Sequence, residues 1–196
     1  MENKIKNLKI SFNSPVILVF TAVCLIATVL NYATGGRSNF FLFMTYHSSL
    51  FSPLTYVRFF THVFGHADWQ HFAGNMVYIL LLGPMLEEKY GSDIVLKVIG
   101  LTALVTGLVN YIFFQDVALC GASGVCFAFI LLSSITSYRE NEIPLTFILV
   151  AVVYLGIQIY EGIFLQDNVS NISHILGGIV GAVIGFTYQR TVEKGA

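Results

Sequence analysis

The chain has 196 residues, of which 56% are apolar and only 11% charged, with a mean hydropathy of +0.75, whereas a soluble domain usually carries about 25% charged residues. That composition excludes an ordinary soluble domain and describes a protein that crosses a membrane several times. The net charge of -1, without a basic stripe or patch, gives no footprint for nucleic acid. Cys24, Cys120 and Cys126 lie in or beside apolar segments without metal-ligand spacing, so no disulfide framework is read from them.

Crossing a bilayer takes roughly 17–25 predominantly apolar residues, and the chain offers six such stretches in order. The first, Pro15–Ala33, follows Lys4, Lys6 and Lys9 and starts like a signal peptide. Its apolar part is too long and lacks a small-residue cleavage site, so it reads as a retained anchor. Residues 34–70 come next and are too long for an idle loop. They are crowded with Phe40, Phe41, Phe43, Tyr46, Phe51, Tyr56, Phe59, Phe60, Phe64 and Trp69. Aromatic rings favour the membrane–water boundary, so this segment is expected to be partly submerged in the outer leaflet. The remaining spans are Phe72–Leu86 with its flanks, Ile94–Phe114, Cys120–Ser137, Ile143–Tyr160 and Ile172–Tyr188.

The expected architecture is therefore an all-α, six-helix membrane domain over 1–196, with 1–14 a short cytoplasmic segment. Orientation follows from the basic residues of the short loops. With the N-terminus inside, Lys4, Lys6, Lys9, Lys89, Lys97, Arg139, Arg190 and Lys194 are cytoplasmic and only Arg37 and Arg58 are outside. Both termini then face the cytoplasm of a multi-pass protein of the cell membrane.

In this orientation the second, fourth and sixth spans all begin at the outer face. "HFAGN" puts His71 and Asn75 four residues apart, on one helical face. "GASG" puts Ser123 near the start of the fourth span, and "SHILGGIVG" puts His174 near the start of the sixth. From Ser123 to Arg139 a helix rises about 24 Å against about 30 Å of hydrocarbon, so Ser123 is recessed below the outer surface. Gly177, Gly181 and Gly185 repeat every four residues and let two helix backbones approach closely. If Gly121, Ala122 and Gly124 lie across that stripe, His174 meets Ser123. Alone, a Gly-Ala-Ser-Gly is ordinarily helix packing and a membrane histidine a satisfied one. Their convergence at one depth, where polar groups are costly, marks a site. His62, His66 and His71 lack an accompanying carboxylate or thiolate, and no metal or other cofactor is expected.

The motifs "HFAGN", "EEKYG", "GASG" and "SHILGGIVG", spread between about Arg58 and Gly185, resemble the rhomboid family of intramembrane serine proteases in its compact six-span bacterial form. The resemblance implies Ser123 as nucleophile and His174 as general base. His71, Asn75 and the Ser123 backbone N–H would form the oxyanion hole, and Arg58, Glu87 and Gly91 would be structural supports. Two positions depart from the family pattern: Val57 stands where Trp is common, and Phe127 where Tyr is common. Phe127, one turn below Ser123, can stack on the imidazole but cannot donate a hydrogen bond.

No carboxylate is evident beside His174, because Asp167 belongs to the outer loop, so a Ser-His dyad oriented by Phe127 is expected. The supporting residues are Gly121, Gly124, Phe127, Gly177 and Gly181. The fifth span and the stretch Glu161–Ser173, with Asp167, Asn168, Ser170 and Asn171, are candidates for a gate and cap. The implied partners are transmembrane proteins, cut near the outer end of a helix, and the lipid bilayer. The alternative from another class is a haem-binding or transport protein using intramembrane histidines, which has no need of Ser123.

Overall fold

The structure is a computed structural model that describes residues 11–136, 142–164 and 171–195. Among these described residues seven α-helices follow one another: α1 (Pro15–Ala33), α2 (Pro53–Thr61), α3 (Trp69–Tyr90), α4 (Ser92–Phe113), α5 (Ser123–Ser134), α6 (Leu145–Phe164) and α7 (Asn171–Gly195). No β-strand longer than a single bridge occurs among the described residues. Six of these helices coincide with the six apolar stretches, and α2 lies in the segment between the first and second.

α1 starts at Pro15, whose missing N–H costs nothing in a first turn. The next two N–H groups, of Val16 and Ile17, donate to the two carboxylate oxygens of Glu87 at 3.1 Å each. Ser92 adds a hydroxyl donor to the same carboxylate at 2.7 Å. Glu87 thus ties the start of α1 to the turn between α3 and α4. That turn runs through Gly91 at φ +82°, a left-handed value that glycine adopts without strain. The "EEKYG" motif is accordingly a structural joint.

The aromatic segment 34–68 is folded. A π-helical turn (Asn39–Phe43), α2 and a 3-10 turn (His62–Phe64) account for much of it. Arg58 is buried: its Nε donates to the Phe41 carbonyl at 3.0 Å, and its guanidinium lies 4.6 Å from the Tyr46 ring centroid. The amides of Asn31 and Asn39 both donate to the His66 carbonyl. α2 packs on α4 where Gly107 leaves room for the Phe59 backbone. Phe40, Phe41, Phe51, Tyr56 and Phe60 remain exposed, as expected for side chains that seek the membrane boundary.

α5 is the central helix, packed by α3, α4, α6 and α7. Its Gly124, Val125, Cys126, Ala128, Phe129, Leu131 and Leu132 are all buried. By length and apolarity, α1, α4 and residues Asn171–Gln189 of α7 suffice to cross a membrane. α5, at 12 residues, rises only about 18 Å, because the chain from Leu119 to Ala122 enters without helix. α3 has the length, with 22 residues, but carries Gln70, His71, Asn75, Glu87, Glu88 and Lys89. α6 is peripheral and, among the described helices, touches α5 and α7 alone. Around the outside, Val77, Leu81, Leu96, Ile112, Val152, Val153, Ile157 and Val183 are exposed. So much continuous apolar surface is the mark of a protein surrounded by lipid.

Lys4, Lys6, Lys9 and Arg139, and the side chains of Arg190 and Lys194, lie outside the described residues, as do Asp167, Asn168 and Ser170 of the expected cap.

Candidate active site

Ser123 is the first residue of α5, and its position is set by the chain that leads into it. Leu119 pairs with Thr45 through two backbone hydrogen bonds of 2.8 and 2.9 Å, and the Gly121 N–H donates to the His62 carbonyl at 2.9 Å. The segment between α1 and α3 therefore holds the entry to α5 in place. Gly121 has φ +131°, which disfavours any side chain. A Cβ there would also fall 2.6 Å from His71 Cε1 and 2.8 Å from its Nε2, with Asn75 Nδ2 at 3.7 Å. The absent side chain is what lets His71 and Asn75 of α3 reach the start of α5.

At that start the helix has no side-chain cap, and its first backbone hydrogen bond is from Cys126 N–H to the Ala122 carbonyl at 2.9 Å. The N–H groups before it have no intrahelical acceptor. Asn75 is 7% exposed, and its Nδ2 is a buried donor without a partner among the described residues. The Cys126 thiol lies 3.5 Å from the Asn75 backbone carbonyl and 3.7 Å from its Oδ1. His71, in the first turn of α3, is held by Asp68, whose carboxylate accepts the His71 backbone N–H at 2.7 Å. Unsatisfied donors thus collect beside Ser123.

α7 brings His174 to the same place. Its Nε2 is 3.0 Å from Ser123 Oγ, and the residue is 7% exposed. The approach depends on Gly177 and Gly181. A Cβ on Gly177 would lie 2.8 Å from the carbonyl carbon of Gly124, and one on Gly181 2.8 Å from Cα of Ala128. Gly185 meets only the side chains of Leu132 and Ile135, at 3.0 Å or more. The His174 ring stacks on Phe127, with centroids 4.4 Å apart and planes tilted by 41°. Phe127 is backed in turn by Tyr154 of α6, again at 4.4 Å.

Sequence reasoning missed Gln158 of α6, whose Oε1 is 2.7 Å from His174 Nδ1. The only signal for it in the sequence is a lone amide in an otherwise apolar span, where polar groups are costly. It also missed the Cys126–Asn75 contact.

The two remaining histidines of the "THVFGH" stretch are engaged elsewhere. His62 Nε2 donates to the Ala103 carbonyl at 3.0 Å, and His66 Nδ1 to the Phe64 carbonyl at 3.1 Å. Both lie in the segment between α1 and α3, and burial pushes each down to about 4, so they stay neutral at physiological pH.

A model of the Rhomboid domain matches residues 53–191, well over half of the chain. The chain belongs to the rhomboid family. It is 32% identical to mouse rhomboid-related protein 2 over 164 residues, covering 73% of this chain and 54% of that one. It is 25% identical to the rhomboid protease GlpG of Haemophilus influenzae over 173 residues, covering 86% and 88%. It is 26% identical to the GlpG of Salmonella newport over 139 residues, covering 70% and 50%. The chain thus spans about half the length of the mouse and Salmonella relatives and most of the Haemophilus one. Like them it is a rhomboid, and it is a membrane protein.

Proposed function

We propose that this rhomboid is an intramembrane serine endopeptidase, with Ser123 as nucleophile and His174 as general base. The observation that carries the reading is the 3.0 Å approach of a buried imidazole Nε2 to Ser123 Oγ, beside donors that have no acceptor. A serine hydroxyl is a weak nucleophile until a base takes its proton. As Oγ attacks the scissile carbonyl carbon, its proton passes to Nε2 and the carbonyl oxygen becomes an oxyanion. Asn75 Nδ2, the His71 imidazole and the Ser123 backbone N–H stabilise that charge. Collapse breaks the C–N bond, and Nε2 returns the proton to the leaving amine. Water then repeats the cycle on the acyl-serine, releasing the acid and regenerating the hydroxyl.

In this reading the whole chain, 1–196, is one domain of six spans in the plasma membrane of a bacterium, with both termini cytoplasmic. The site opens to the outer face, where water can reach Ser123. The substrates are transmembrane helices cut near their outer ends. A helical carbonyl is hydrogen-bonded within its own helix, so the segment to be cut must unwind. The absent side chain at Gly121 leaves space for the donors, and Gly124, Gly177 and Gly181 hold α7 close enough for the proton transfer.

The test is covalent labelling by a fluorophosphonate probe, together with cleavage of a generic transmembrane substrate mapped by mass spectrometry. Wild type should label and cut, whereas Ser123→Ala and His174→Ala should each fall to background. The two losses should not add, because the residues act as one unit. An unlabelled wild type would sink the reading, and a Soret band in the purified protein would favour the haem alternative.

A further inference from the structure

The fifth apolar stretch, now α6, is the loosest of the helices around the site. Among its described side chains only Tyr154 and Gln158 are buried, and the others described face outward in part or whole. The two are four residues apart, hence on one face, and both point at the His174 assembly. Tyr154 supports the ring on which the imidazole stacks. Gln158, 4% exposed, meets the imidazole edge at 2.7 Å. An amide that hydrophilic, on a helix that otherwise meets lipid, is costly to place there unless its hydrogen bonds are used.

We infer that Gln158 is a positioning residue that fixes the tautomer and plane of His174, so that Ser123, His174 and Gln158 work as a triad whose third member is a neutral amide. The inference rests on the protease reading and deepens it. The orientation of the amide follows from its other contact: Gln158 Nε2 donates to Glu161 Oε2 at 3.4 Å, which leaves Oε1 facing Nδ1. A carbonyl oxygen can only accept. His174 must therefore carry its proton on Nδ1, and the lone pair of Nε2 is directed at Ser123 Oγ, 3.0 Å away. The opposite tautomer would put a lone pair against Oε1 and a proton between Nε2 and the hydroxyl, where it blocks the transfer. During the reaction Nε2 gains the serine proton while the Nδ1–H bond is neither broken nor moved. Oε1 goes on accepting it and stabilises the imidazolium through its dipole. Phe127 restricts the tilt of the ring, and a stacked face cannot select between the two nitrogens. Gln158 does that.

Gln158→Leu keeps the volume and removes the acceptor, and Gln158→Glu restores an acceptor of the same reach. With the purified full-length protein in detergent, the fluorophosphonate labelling rate of Gln158→Leu should fall about 10- to 100-fold, the size of one lost hydrogen bond to a group that becomes charged. On a transmembrane substrate the loss should appear in kcat and not in KM, and Gln158→Glu should recover most of it. Thermal unfolding of each variant separates this from a weakened fold. A Gln158→Leu that labels at the wild-type rate would overturn the inference while leaving the protease reading intact. So would a change in KM alone, a loss that merely follows the unfolding temperature, or a Glu variant no better than Leu. A wild type that fails to label would overturn both.

Discussion

Replacing Gly181 with alanine tests how far the site depends on one helix contact. The added Cβ would lie 2.7 Å from the carbonyl carbon of Ala128 and 2.8 Å from its Cα, where carbon atoms normally rest about 3.5–4.0 Å apart. Both sides of the contact are backbone, so neither can rotate away, and α7 must withdraw from α5 by about 1 Å. His174 is seven residues earlier on the same helix, about 10 Å along its axis, and moves with it. The 3.0 Å separation of Nε2 and Oγ would then stretch to about 4 Å, beyond hydrogen-bond reach. A displacement of that size costs about 100-fold in rate, and overpacking costs about 1–3 kcal/mol in stability. Gly185→Ala is the control, since its tight contacts are the ends of Leu132 and Ile135, which can turn aside, and Ile135 Cβ at 3.5 Å is at ordinary contact distance. The assay is the second-order rate of fluorophosphonate labelling, with thermal unfolding in the same detergent. If Gly181→Ala labelled as fast as Gly185→Ala and melted at the same temperature, the close backbone approach would not be what delivers His174.

Glu87→Ala removes the acceptor of the Val16 and Ile17 N–H groups and of the Ser92 hydroxyl. Only the Ile17 donor is buried and the other two are half-exposed, so at about 1–3 kcal/mol for a stranded buried donor the change should cost about 1–3 kcal/mol of stability, read by thermal unfolding, while the labelling rate per folded molecule stays near wild type. His62 and His66 are both held down to about 4, whereas in the unfolded chain they take up protons near pH 6.5. The unfolded state therefore binds more protons between those values, and stability should fall as the pH drops from about 6.5 toward 4. The drop in unfolding temperature between pH 7 and pH 5 should be smaller in His62→Gln, and an equal drop would assign the effect to other groups. Phe127→Ala removes the surface shared by His174 and Tyr154 and should slow labelling about 10-fold, the scale of one aromatic contact. Phe127→Tyr keeps the ring and should label at least as fast as wild type.

Much of the helical order was legible in the chain, because lipid demands long apolar runs and penalises every polar exception. The starts of α1, α4 and α7 fall within two residues of the stretches read from composition alone. His71, Asn75, Ser123 and His174 stood out for the same reason, as polar groups where such groups are expensive. The Gly177 and Gly181 stripe could be read from its four-residue period, which is a local property of one helix. The folding of residues 34–68 could not be read so closely. Its π turn, short helix and 3-10 turn are held by long-range contacts, among them Arg58 on Phe41 and Tyr46 and the His66 carbonyl that receives Asn31 and Asn39. The shortness of α5 was likewise invisible. Cys120–Ala122 are as apolar or small as the helix they precede, and it is the bonds of Leu119 to Thr45 and of Gly121 to His62, from a segment far away in sequence, that keep them out of the helix. Gln158 shows the limit most plainly. Composition marked it as a polar residue in an apolar span, but nothing in the chain says which way an isolated helix turns its face. Only the packing of α6 against α5 and α7 decided that this amide meets Nδ1 of His174, because a hydrogen bond between side chains sixteen residues apart exists only once both helices have been placed.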